Sequence, residues 1–182
     1  MNRAYVTVLA VLWIAGCASA PDLHYYTLDM RPSGAAQAAK NIRIERLREA
    51  EPLARKDILI QRSPTQVEYY AVDQWAAALG ELVSQKLEAE FGPPEEGRPT
   101  VVVTGTILEF GQVDAAGGAE ASVRLKLEFR GEDMGRYDEP LLTKTYAVRL
   151  PTGTPGCGAV VEALSRCLEN LAAEIVSDAA GL

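Results

Sequence analysis

The side chains with the most distinctive chemistry in this sequence are its three cysteines and its single histidine. Cys17 ends an apolar N-terminal stretch, whereas Cys157 and Cys167 lie together near the C-terminus. Because the only histidine, His24, lies beside the N-terminal tether, a histidine-based triad, a histidine-rich metal site or a histidine general base elsewhere in the domain is excluded. The distribution points to thiol chemistry at the N-terminus and predicts no catalytic residue, no metal site and no cofactor.

The residues around Cys17 have the layout of a lipoprotein signal sequence with its lipobox. A short basic region and an apolar stretch end in Ala15 and Gly16, directly before the cysteine. Small side chains at these two positions let a lipoprotein signal peptidase reach the bond before Cys17, whose thiol then carries a diacylglycerol. The sequence thus predicts a signal peptide over residues 1–16, lipidation of Cys17 and a tether over residues 17–23.

Two alternatives to lipidation stay open at this point. The apolar stretch could remain as an uncleaved anchor, although it is shorter than the ~20 apolar residues that span a bilayer. Ordinary signal cleavage after Ala20 matches the small-x-small rule but would leave Pro21 directly after the cut. If Cys17 is lipidated, Ala18 instead of aspartate at the next position favours the outer membrane over retention at the inner membrane.

The two C-terminal cysteines would lie in an oxidising compartment, where paired cysteines usually form a disulfide bond. A straight helix of ten residues spans ~15 Å, however, and a disulfide requires Cα atoms within ~7 Å. Bridging would need the glycine-rich segment before the helix to fold back along it. A disulfide between Cys157 and Cys167 and a pair of free thiols both stay open.

Three further motifs admit a chemical and a structural interpretation. The glycine-rich segment over residues 153–158 lacks the Gly-Lys-Ser/Thr ending of a phosphate loop, which favours a plain connection. Trp75 with Tyr69 and Tyr70 suits either a hydrophobic ligand site or, more commonly, a core or an interface. Clustered glutamates fit a solvated surface better than a cation site. These are Glu45, Glu49, Glu51, Glu95 and Glu96.

The composition is that of one acidic globular domain. The 182 residues are 48% hydrophobic and 24% charged, which supports a sizeable core and argues against disorder. The formal net charge of -7 and the lack of a Lys/Arg-rich run argue against nucleic acid as a partner. We therefore predict a single domain over residues 24–182.

Apolar periodicity predicts a sheet with helices on one face. Asp73 is expected to N-cap an amphipathic helix that starts with Trp75 and ends at Phe91, and a second helix is expected over residues 159–179. The predicted fold is α+β in two layers, with a mostly antiparallel sheet whose other face stays polar or meets another protein. Strands are expected near residues 24–28, 42–47, 100–113, 121–130 and 141–150, with a hairpin over residues 58–70.

Several short motifs follow one another in the order found in one family. They are the lipobox, Tyr25-Tyr26-x-Leu28, the run over residues 58–62, the Tyr69-Tyr70 pair and Trp75-Ala76-x-x-Leu79. In this arrangement the chain resembles the ABC-type transport auxiliary lipoproteins of the PqiC-like group. It departs from the family's pattern over residues 47–57, where a Val-Pro-x-Tyr-Leu-like stretch would be expected.

The resemblance implies a non-enzymatic component of an ABC/MCE-type intermembrane lipid transport system. Its partner would be the MCE-domain substrate-binding protein of the transporter, and its anchor would hold it on the outer membrane, facing the periplasm. Two other classes stay open: a periplasmic carrier of a lipid or another hydrophobic ligand, and a structural lipoprotein that supports an outer-membrane assembly machine. Because one face of the predicted sheet has no partner, a homo-oligomer is open as well.

Overall fold

One mixed β-sheet carries two helices on one face in the computed structural model, which describes residues 21–34, 36, 38–135 and 137–182. Among these residues, no helix is both long and apolar enough to cross a membrane. The elements in chain order are β1 His24–Tyr26, β2 Asn41–Ile44, β3 Arg48–Glu49, β4 Asp57–Ser63, β5 Gln66–Trp75, α1 Leu79–Phe91, β6 Thr100–Ala115, β7 Gly118–Gly131, β8 Leu142–Pro151 and α2 Cys157–Ala180.

Strand β6 lies at the centre of the sheet. Along one side it pairs in parallel with β2, β3 and β4 in succession, and along the other side it pairs antiparallel with β7. The spatial order of the main path is β1-β5-β4-β6-β7-β8. The predicted α+β class, the β4–β5 hairpin and the β6–β7–β8 meander are confirmed. The sheet is mixed, because β1 also pairs in parallel with β5.

The core lies between the sheet and the helices. Alternate residues of β7, from Val123 to Phe129, have 0% of their surface exposed. Helix α2 packs on β7 and β8, and its Leu164, Leu168 and Leu171 are equally buried. The apolar stripe predicted for this helix is therefore its contact with the sheet.

The first helix starts later than the sequence predicts. Asp73 and Trp75 belong to β5, and α1 begins only at Leu79. The Trp75 N–H donates to the Lys56 carbonyl oxygen at 2.7 Å, and Asp73 pairs with His24 of β1. Hydrogen bonds to neighbouring strands outweigh the local helical pattern here, and the prediction that Asp73 caps α1 is wrong.

The side chain of Glu49, in strand β3, caps α1 instead. Ala78 precedes the helix without a side-chain hydrogen bond, whereas Glu49 of β3 accepts the Gly80 N–H at 2.7 Å. A carboxylate at a helix N-terminus satisfies a free donor and interacts favourably with the helix dipole. The helix also approaches the sheet closely, because a Cβ at Gly80 would collide with the Leu47 carbonyl oxygen. The first turn of α1 is therefore fixed against the β2–β3 segment.

The chain between β1 and β2 runs along both helices before it enters the sheet. The Asp29 N–H donates to the Ser165 Oγ of α2 at 3.1 Å. The Ser33 N–H donates to a carboxylate oxygen of Glu90 on α1 at 3.0 Å. These bonds hold the β1–β2 connection against the two helices. The connection therefore does not cover the opposite face of the sheet.

Candidate docking surface

The sheet face opposite to the helices is open. We call it the open face, and it consists of alternate side chains of β7 and β8 with the matching residues of β2, β3 and β6. With the residues that border it in the β2–β3 loop and after β7, its basic residues are Arg43, Arg46, Arg48, Arg124, Lys126, Arg130 and Arg149, and its acidic residues are Glu45, Glu109, Glu120, Glu128 and Glu132. The face is thus basic, although the whole chain has a net charge of -7.

The acidic residues near the middle of the open face are neutralised by their own neighbours. Glu109 forms an ion pair with Arg124 and lies 3.8 Å from a guanidinium nitrogen of Arg149. Glu128 forms an ion pair of 3.0 Å with Arg130. These carboxylates therefore do not compensate the remaining basic side chains.

Three basic side chains beside these pairs form no ion pair with a described residue, against two carboxylates without such a pair, Glu45 and Glu120. The three are Arg46, Arg48 and Lys126, and all of them are exposed. In strand register, Arg48 and Lys126 flank Thr106 of β6. The open face therefore offers free cations on both sides of its central strand.

A polar groove of about 530 Å³ lies on the open face where β2 and β3 meet β6 and β7. We call it the arginine groove. Its charged lining consists of Arg43, Arg46, Arg48 and Arg130 with Glu45, Glu128 and Glu132. No local sequence pattern marks these arginines as a site, although Ile42, Ile44 and Leu47 are interleaved with charged residues in the same segment. Only the parallel pairing of β2 and β3 with β6 brings them to Arg130.

A second groove, of about 860 Å³, lies on the helix side of β2. We call it the apolar groove, and its apolar walls include Met30, Ile42, Ile44, Ala89 and Pro93. Arg43 and Glu132, which lie 3.7 Å apart, belong to the lining of both grooves. The two grooves therefore meet at β2.

The sequence-predicted thiol sites fall in two different places. Cys17 lies outside the described residues, so its lipidation stays a prediction. Cys157 and Cys167 are buried free thiols on α2, and because the helix begins at Cys157 no glycine-rich segment folds back toward Cys167. Their Cα atoms are ~15 Å apart along the helix axis, beyond the reach of a disulfide. Burial raises the pKa of each thiol to about 12, which disfavours the reactive thiolate.

The aromatic residues that suggested a ligand site are structural. Trp75 is 1% exposed and packs edge-on against Phe110, with ring centroids 5.6 Å apart. The Tyr70 hydroxyl donates to the Gln112 side chain, and burial raises its pKa to about 12. The Tyr69 hydroxyl donates to a backbone carbonyl oxygen at 3.3 Å. Of the two interpretations of this cluster, the structure favours the core.

The remaining motifs have structural roles. Residues 152–156 simply connect β8 to α2. The His24 Nδ1 lies 3.0 Å from the Asp73 carboxylate at the edge of the sheet. No group of three or more His, Cys, Asp or Glu side chains within the described ranges could hold a metal ion. The basic open face and the two grooves beside β2 are therefore the surfaces with the clearest capacity to bind a partner.

The fold and this surface define a two-layer α+β domain with one sheet face free for docking. A family model described as "ABC-type transport auxiliary lipoprotein component" matches residues 26–176. The chain belongs to this family. No curated protein matches the sequence.

Two solved structures are similar to this chain in fold. One, titled only as an uncharacterized protein, has a TM-score of 0.64 and 16% identity, and the match covers 87% of this chain and 99% of that one. The other is protein XCC0632 from Xanthomonas campestris, with the family designation DUF330, a TM-score of 0.66 and 14% identity, over 86% of this chain and 93% of that one. The architecture is therefore shared with proteins of very different sequence.

Proposed function

We propose that this chain is a non-enzymatic, outer-membrane-anchored adaptor of an ABC/MCE-type intermembrane lipid transport system. In this role its open face docks on the MCE-domain substrate-binding protein of the transporter. The family match supports a place in an ABC transport system of the cell envelope. The charge distribution of the open face supports the docking role.

The observation that carries the proposal is the segregation of charge on an acidic chain. Basic side chains gathered on an uncovered sheet face create a positive potential that attracts an acidic partner surface and selects its orientation. Arg48 and Lys126 are exposed without an ion pair to a described residue. A carboxylate of the partner could therefore pair with either side chain without breaking an existing ion pair.

The predicted anchor fits this arrangement. Six residues separate Cys17 from β1, and a chain of that length reaches at most ~20 Å. Acyl chains contribute about 0.8 kcal/mol per buried methylene, and two or more hold a protein on its membrane stably. The domain would therefore stay close to the outer membrane and present its open face in the periplasm.

An adaptor needs no catalytic group, and we propose none among the three residues that could most readily supply one. His24 is exposed and paired with Asp73 at the sheet edge. Cys157 and Cys167 are buried thiols with a raised pKa. We therefore assign no residue of the domain a role in bond making or breaking.

A periplasmic carrier of a hydrophobic ligand is the second candidate, and the apolar groove is the observation in its favour. Its volume of about 860 Å³ falls in the usual range of ligand pockets. Leu125 of the sheet and Leu168 of α2, between the two layers, are both 0% exposed. A carried lipid would therefore lie in this surface groove. A structural lipoprotein of an assembly machine has no observation of its own in its favour.

A photoreactive residue on the open face tests the docking role in living cells. Thr145 is exposed and lies beside Lys126 in register, so we expect a crosslinker there to capture the MCE-domain protein. Glu162, exposed on α2, provides the matched control on the other side of the domain. Mass spectrometry of the crosslinked bands identifies the partner.

The outcomes separate the two candidates. Capture from position 145 and not from position 162 supports the adaptor. Capture at neither position, with stoichiometric lipid retained by the purified protein through gel filtration, would contradict the adaptor and favour the carrier.

A further inference from the structure

The outer edge of β2 is unpaired. The Asn41 N–H donates to the carbonyl oxygen of Pro99, directly before β6, and the Glu45 N–H donates to that of Val103 in β6, both at 2.9 Å, so the N–H groups of Ile42 and Ile44 point away from β6. No described residue pairs with these outward groups. An exposed strand edge of this kind is a template for the addition of another strand.

The two grooves flank this free edge on opposite sides of the sheet. On the open face lies the arginine groove, in which Arg46 and Arg48 are exposed and form no ion pair with a described residue, against one such carboxylate, that of Glu45. On the helix side lies the apolar groove, with Ile42, Ile44 and Met30 in its wall. An occupant of the edge would therefore meet cationic surroundings on one side and apolar surroundings on the other.

We propose that the β2 edge binds an extended segment of a partner protein in which acidic and apolar residues alternate. Successive side chains of a strand point to opposite faces of its sheet, so the acidic set would contact the arginine groove and the apolar set would enter the apolar groove. Backbone hydrogen bonds to Ile42 and Ile44 supply affinity, and the two grooves supply specificity. This inference rests on the proposed function, because it names the chemistry of the segment with which the adaptor's partner docks.

The combination of a free strand edge, cations and an apolar wall at β2 favours a peptide over a lipid as the occupant. An acyl chain would fill the apolar groove but would leave the N–H and carbonyl groups of Ile42 and Ile44 unpaired. An anionic headgroup would reach Arg46 or Arg48 without using the strand edge. An alternating segment satisfies the backbone edge, the cations and the apolar wall at the same time.

A synthetic heptapeptide of alternating glutamate and isoleucine, labelled with fluorescein, tests the proposal. The probe is titrated with the full mature lipoprotein in phosphatidylcholine nanodiscs, and binding is followed by fluorescence polarisation. We expect saturable binding that weakens with ionic strength. The alternating lysine/isoleucine and glutamate/serine peptides should each bind at least about tenfold more weakly, because one of the two grooves then lacks its complement.

Two further comparisons separate strand addition from attraction between charges alone. Arg46→Glu and Arg48→Glu should each weaken binding at least about tenfold, whereas Arg166→Glu on the exposed side of α2 should leave it unchanged. In an added strand, alternate peptide N–H groups point toward β2 and the others point away from it. N-methylation of the first set should abolish binding, because only these groups donate to the strand edge, and N-methylation of the second set should leave binding intact.

Equal tolerance of both N-methylated sets would overturn strand addition. Binding that is indifferent to Arg46→Glu and Arg48→Glu would overturn the role of the arginine groove, and displacement of the probe by phosphatidylglycerol nanodiscs would assign the site to lipid headgroups. If the peptide fails while position 145 still captures the MCE-domain protein, the inference fails and the proposed function stands.

Discussion

At the scale of single residues, one buried ion cluster joins three parts of the chain. Lys86 is 0% exposed, and its ammonium donates to Glu90 at 2.6 Å, to Glu169 at 3.0 Å and to the Arg31 carbonyl oxygen at 3.0 Å. These three bonds use all the donors of the group. Although burial alone lowers the pKa of Lys86, its bonds to Glu90 and Glu169 raise that pKa above its usual value. The cluster fixes α1, α2 and the β1–β2 connection in one geometry.

We predict that Lys86→Met destabilises the domain by about 3–5 kcal/mol, because it leaves the Glu90 carboxylate buried without its cation. Urea unfolding followed by circular dichroism measures the loss. The double variant Lys86→Met/Glu90→Leu is the control, and it should recover most of the stability because neither of the two fully buried charges remains, while Glu169 is partly exposed. A double variant as unstable as the single one would show that packing, and not the stranded charge, causes the loss.

The same cluster predicts a dependence of stability on pH. Burial alone raises the pKa of Glu90, but hydrogen bonds from Lys86 and Ser33 lower it below its usual value. The unfolded state, with a pKa of about 4.3, therefore takes up this proton first as the pH falls. The stabilisation by Glu90 is complete above that pH and disappears as the pH drops through the lowered folded value.

The free energy of unfolding of the wild type and of Glu90→Gln, measured between pH 7 and pH 2.5, checks this. The difference between the two proteins should be constant at neutral pH and shrink below about pH 4.3. A difference that stays the same across the whole range would contradict an ionised Glu90 in the folded state.

At the scale of elements, the second half of the chain follows its sequence more closely than the first half. Residues 121–130 alternate strictly, and short connections join β6, β7 and β8, so local pattern and final pairing agree. Parallel pairings of β1, β2, β3 and β4 depend on contacts between distant segments, which no local pattern records. The extension of β5 to Trp75 has the same cause, since its bonds go to β1 and β4.

The docking surface, too, could be predicted from the sequence only in part. Alternation in β7 predicts a polar face that contains Arg124 and Lys126. The arginine groove could not be predicted, because Arg46 and Arg48 come to lie beside Arg130 only through the parallel pairing of β2 and β3 with β6.

The contact between α1 and the β2–β3 segment gives a prediction of its own. Gly80→Ala should destabilise the domain by about 1–3 kcal/mol, although alanine favours a helix, because the new methyl group meets the Leu47 carbonyl oxygen. Gly158→Ala in α2 is the matched control, since a Cβ there reaches only Tyr26 at 4.0 Å and should be neutral or stabilising. Thermal unfolding of both variants measures the effects. Equal melting temperatures would refute the close approach at Gly80.

At the scale of the whole molecule, the proposed attachment to the membrane depends on a single thiol, that of Cys17. We predict that Cys17→Ala accumulates as an unlipidated precursor, because the lipobox offers no other acceptor. Mass spectrometry of the membrane fraction and globomycin treatment of the wild type measure the modification. Mature, membrane-bound protein in the Cys17→Ala strain would refute the lipoprotein interpretation.

We propose above all that the open face, which carries basic side chains on an acidic chain, docks on an acidic partner surface. The most direct test of this docking is the equilibrium affinity of the mature lipoprotein for the MCE-domain protein, measured with Lys126→Glu and with the control Arg166→Glu, both at exposed positions. The account predicts that Lys126→Glu raises the Kd at least about tenfold and reduces its dependence on salt, while Arg166→Glu changes neither. An unchanged Kd for Lys126→Glu, with the fold intact, would contradict docking through this face.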